Sequence, residues 1–68
     1  MVSFEFAPRA LGVAIECVEL LPDCLLNYVL EEKPKFQTTR WVDGKIVKLL
    51  SAVPPDINYG DVFAKSNL

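Results

Sequence analysis

The chain has no histidine in its 68 residues. That excludes histidine general acid–base chemistry and every triad built on imidazole. It has two cysteines, Cys17 and Cys24. Without histidine, two thiols cannot complete a four-ligand zinc site within one chain. Nor does the spacing favour a disulfide. On a continuous helix seven residues separate the Cα atoms by more than the roughly 7 Å a bridge tolerates. Two buried, small apolar thiols is the reading that remains, with a four-thiolate site shared between two copies as the remote alternative.

Glycine is scarce and scattered, at Gly12, Gly44 and Gly60, so no glycine-rich loop exists to cradle a phosphate. The carboxylate pairs Glu31–Glu32 and Asp56–Asp61 lack an arrangement that would set one as acid and the other as base. No cofactor, metal or catalytic centre is implied, and the chain is expected not to be an enzyme. A long apolar run is also missing. The most apolar stretch, 10–30, is broken by Glu16, Glu19, Pro22 and Asp23. An acid at a bilayer centre costs about 2.5–3.5 kcal/mol, so a membrane span is not expected. Glu16 and Glu19 also occupy the place of a signal-peptide core, and the expected location is the cytoplasm.

What is present is apolar and polarised. Hydrophobic residues make up 51% of the chain and mean hydropathy is +0.26. A chain this short supplies one small core, below ~5 kcal/mol of net stability. Apolar surface beyond that core favours burial against another copy or a larger partner over a well-packed monomer. Residues 1–32 hold six acids against Arg9, a net of −5. Residues 33–48 hold Lys33, Lys35, Arg40, Lys45 and Lys48 against Asp43, a net of +4.

The basic stretch carries the only tryptophan and the clearest turn signal. Asp43-Gly44 between apolar, β-prone segments predicts a two-residue hairpin, with strands over 36–42 and 45–50. Ile46, Leu49, Leu50 and Val53 also fit a helical period, with Asp43 at its start and Pro54-Pro55 at its end. The hairpin is the favoured reading of the two.

Val2, Phe4 and Phe6 alternate with Ser3 and Glu5, which reads as an edge strand. Residues 9–21 fit a helix with Leu11, Ala14, Ile15 and Val18 inward, or a strand with Leu11, Val13, Ile15 and Cys17 on one face. The helix is favoured slightly. Residues 21–32 read as the firmest helix, with Pro22 and Asp23 in its first turn and Pro34 as its stop.

The expected class is α+β: one or two N-terminal helices followed by a β-hairpin, with an N-terminal edge strand, in a single small domain over 1–53. Residues 54–68 are expected as a Pro-initiated tail. The expected function is a small non-catalytic interaction or accessory protein that binds itself or a larger protein. Phe36, Trp41, Ile46, Tyr59 and Phe63 are the candidate contacts. The alternative is a winged-helix-like DNA-binding regulator using Lys33, Lys35, Arg40, Lys45 and Lys48 on phosphates. A sequence pI near 4.9 weighs against that alternative.

Overall fold

A computed structural model describes residues 1–31 and 35–67. The element order is β1 (Val2–Phe6), α1 (Leu11–Glu19), β2 (Cys24–Leu30), α2 (Ile46–Ser51) and β3 (Gly60–Ser66). The three strands form one sheet in the order β1-β3-β2, and both outer strands run antiparallel to β3. β1 and β2 are therefore parallel to each other. They form a split β-α-β unit into which the C-terminal strand is inserted.

β1 forms where the alternation predicts it, with Phe6 buried and Ser3 and Glu5 exposed. Over 11–19 the helical reading holds. Ala14 and Val18 are buried one turn apart, and Leu11 packs against the same core.

The stretch 21–32 corrects the expectation of a helix. Cys24–Leu30 is a strand, and its partners on β3 run from Ser66 to Gly60. Leu21, Leu25 and Val29 match a helical row only because nearly every residue here is apolar. Such a run marks a strand covered on both faces as readily as a buried helix. Leu26 and Tyr28 face the helices, and Asn27 and Val29 are buried on the opposite face. The supposed stop, Pro34, lies outside the described residues.

The hairpin over 36–50 is corrected as well. Antiparallel pairing is present, but it joins β2 to β3. No described glycine has positive φ, whereas a type I′ turn needs positive φ at both central positions. Instead the Asp43 carboxylate accepts the Lys45 N–H at 3.0 Å, and α2 follows. Ile46 and Leu50 enter the core, and Pro54-Pro55 follow the helix end.

The supposed tail supplies the middle strand. Val62 and Ala64 are fully buried, and Gly60 lies where Phe6 and Val29 converge. A Cβ at Gly60 would stand 2.5 Å from the Phe6 ring and 2.5 Å from the Val29 carbonyl oxygen, so only glycine fits. Both helices pack on one face of the sheet. Phe6, Val18, Leu26, Ile46, Leu50 and Val62 form the heart of that core. Complete burial of a Leu, Ile or Val side chain contributes about 1.5–3 kcal/mol. No helix among the described residues is long and apolar enough to cross a membrane.

Candidate interaction surface

Among the described residues no helix packs on the other face of the sheet. Strand alternation places Ser3 and Glu5 of β1, Leu25, Asn27 and Val29 of β2, and Asp61, Phe63 and Lys65 of β3 on it. A strap, residues 36–42, covers the β2 side. At the strand edge, Leu26 and Val42 exchange both backbone hydrogen bonds, and the Gln37 N–H donates to the Tyr28 carbonyl at 2.9 Å.

One buried polar side chain fastens the strap to the face. Asn27 is 1% exposed, and its Oδ1 accepts the Thr38 N–H at 3.2 Å and the Tyr28 N–H at 2.9 Å. Its Nδ2 donates to the Thr38 carbonyl at 3.1 Å. The Thr38 hydroxyl lies 2.8 Å from Asn27 Oδ1 and 2.7 Å from the Arg40 carbonyl, and its single proton serves one of them at a time. Asn27 was not among the sequence candidates. A lone amide inside the apolar run 24–30 was the available signal, because such a residue must find partners when buried.

The bracket presents an aromatic cluster. Phe36 packs on Trp41 with ring centroids 5.1 Å apart, and edge-on to Phe63 at 5.5 Å. Lys65 Nζ lies 4.5 Å from the Trp41 ring centre. Phe36 remains 41% exposed. Along β3 the face passes from Asp61 through Phe63 to Lys65, and Glu5 stands directly across from Asp61. It therefore has an acidic end, an aromatic centre and a cationic end.

Three of the five expected contacts, Phe36, Trp41 and Phe63, come together here. Ile46 is corrected: it is fully buried in the core and no partner can reach it. Tyr59 is half-buried just before β3, where its carbonyl accepts the Glu31 N–H at 3.0 Å.

The expected cationic ribbon is also corrected. Lys35 and Arg40 are exposed on and beside the strap. Lys45 and Lys48 belong to the helix layer, because Ile46 and Leu50 of the same segment pack on the opposite sheet face. Lys33 lies outside the described residues.

Elsewhere, an open cleft of about 580 Å³ runs between the end of α1 and the start of α2, lined by Val18, Glu19, Leu21, Asp43, Lys45 and Val47 among others. Cys17 and Cys24 are free thiols, half-buried rather than buried as the sequence suggests. Among the described residues no three cysteine, aspartate or glutamate side chains group as metal ligands. Burial pushes the Tyr28 phenol above its ordinary range. No protein family, curated protein or solved structure matches the chain.

Proposed function

We propose that this is a small non-catalytic protein that works by association, as an accessory or regulatory subunit, and that the strapped sheet face is its docking surface. The observation that carries this reading is the Asn27 bracket. It holds Phe36 and Trp41 over Phe63 at the surface rather than letting them fold into the helix-side core. Exposed aromatic groups on a rigid support, rimmed by charge, are what protein interfaces use as anchors.

Light scattering coupled to size exclusion, with Phe36→Ser beside wild type, tests it. The reading expects association of wild type, with itself or with a larger protein, and a loss of part or all of it in Phe36→Ser with the fold retained. Association unchanged by Phe36→Ser would remove this face from consideration.

Nucleic-acid binding has one feature in its favour, the pairing of Lys65 with Trp41 beside Arg40. Glu5 and Asp61 on the same face oppose it, since phosphates would meet carboxylates there. That alternative predicts binding of single-stranded oligonucleotides that weakens steeply with salt.

A further inference from the structure

The two edges of the sheet are treated differently. β2 is closed by the strap, through Leu26–Val42 and Gln37–Tyr28. No described strand or bridge pairs with the outer side of β1. Of the usual protections the strand has a single charge, Glu5, and no lysine, proline or bulge between Val2 and Phe6. Apolar surface remains uncovered there, with Met1 80% and Val2 58% exposed.

Which backbone groups point outward follows from the ladder. Leu26 spends its N–H and C=O on Val42, on the side away from β3. The pair Leu26–Ala64 is therefore a non-hydrogen-bonded one, and Ala64 turns its own groups toward Val2 of β1. Alternation then directs the N–H and C=O of Val2, Phe4 and Phe6 inward, and those of Ser3 and Glu5 out to the free edge.

We infer that two copies of this chain join antiparallel along β1, about a two-fold axis at Phe4, into one continuous six-stranded sheet. This deepens the association reading by naming a partner for a second surface. Among the two-fold registers that match the outward groups, those centred on Ser3, Phe4 and Glu5 overlap the most of the strand. Centring on Glu5 sets the two Glu5 carboxylates opposite each other, which disfavours pairing. Centring on Ser3 pairs Glu5 with Met1 and leaves Phe6 unpaired. Centring on Phe4 alone pairs the whole strand with itself. Ser3 meets the partner's Glu5, Val2 meets the partner's Phe6, and the two Phe4 side chains become neighbours on the helix side. Phe4 is half-buried in one copy and packs against its core, so the contact continues that core across the axis. The contact is short, in the class that buries less than about 1,200 Å² and gives weak, reversible dimers. Salt should not weaken it, because four carboxylates, Glu5 and Asp61 from each copy, gather near the axis and screening relieves them.

Sedimentation of the full chain up to on the order of 100 µM, a range suited to weak pairs, tests this. Wild type should form a dimer that persists at high salt. Ser3→Pro should be monomeric with an unchanged circular dichroism spectrum, because the lost N–H serves only the outer edge. Ser3→Glu places like charges opposite at two sites and should weaken the dimer roughly tenfold. Adding Glu5→Lys to Ser3→Glu converts both to opposite-charge pairs and should restore it. A wild type that stays monomeric throughout, a dimer that survives Ser3→Pro, or a double variant no tighter than Ser3→Glu would overturn the pairing. Association lost in Phe36→Ser but kept in Ser3→Pro would overturn the edge pairing while leaving the docking face in place.

Discussion

Asn27 and Thr38 hold each other through both ends of the Asn27 amide, across eleven residues of sequence. This bracket joins the buried middle of β2 to the strap, and through the strap to Phe36 and Trp41. Asn27→Leu keeps the branched shape in a larger side chain but leaves the Thr38 N–H and C=O and the Tyr28 N–H without this partner. A loss of about 1–3 kcal/mol is expected. Urea denaturation measures it, and a red shift of Trp41 fluorescence in the folded variant shows that the cluster has loosened.

Gly60→Ala should destabilise by about 1–3 kcal/mol, because the added methyl meets the Phe6 ring and the Val29 carbonyl together. Shortening the ring with Phe6→Leu should recover only part of the loss. The carbonyl belongs to the β2 backbone and cannot swing away. Thermal unfolding of the single and double variants reads the difference.

Glu5 and Asp61 face each other across β1 and β3. Reversing one charge turns a repulsive cross-strand pair into an attractive one. Glu5→Lys should stabilise the monomer by about 0.2–1 kcal/mol at low salt, and by less at high salt. Unfolding at micromolar concentration, below the range in which the proposed dimer would form, isolates this effect.

The raised Tyr28 phenol links folding to alkaline pH. A group whose folded pKa lies above its unfolded value near 10 contributes stability that is complete below that value. The contribution is lost as pH rises through the folded pKa. Stability should therefore fall above about pH 10, and Tyr28→Phe should fall less over the same interval. Denaturation midpoints between pH 8 and pH 11 test it on both proteins.

Much of the fold was legible where one face of an element is apolar and the other polar. β1 and α1 are such elements, as are the aromatic identities of Phe36, Trp41 and Phe63. The misreadings fall where that contrast is missing. Cys24–Leu30 is covered by helices on one face and by the strap on the other, so its alternation is erased and a helical row fits equally well. Residues 60–66 read as a tail because Gly60 and Ala64, at a close crossing, give a weak hydrophobic signal. They are small because the middle strand must pass beneath Phe6 and the helices. Asp43-Gly44 carries a turn signal that serves a helix start as well as a hairpin, and the burial of Ile46 and Leu50 decides between them. Cations adjacent in sequence then separate onto two faces, which no reading of charge along the chain reveals.

The measurement closest to the central claim is sedimentation velocity of the wild-type chain over a wide concentration range, at low and at high salt. Association through apolar and backbone groups predicts a sedimentation coefficient that rises with concentration and holds or rises with salt. A monomer under all conditions that also captures no larger protein would contradict the account. So would an assembly that dissolves as salt is raised.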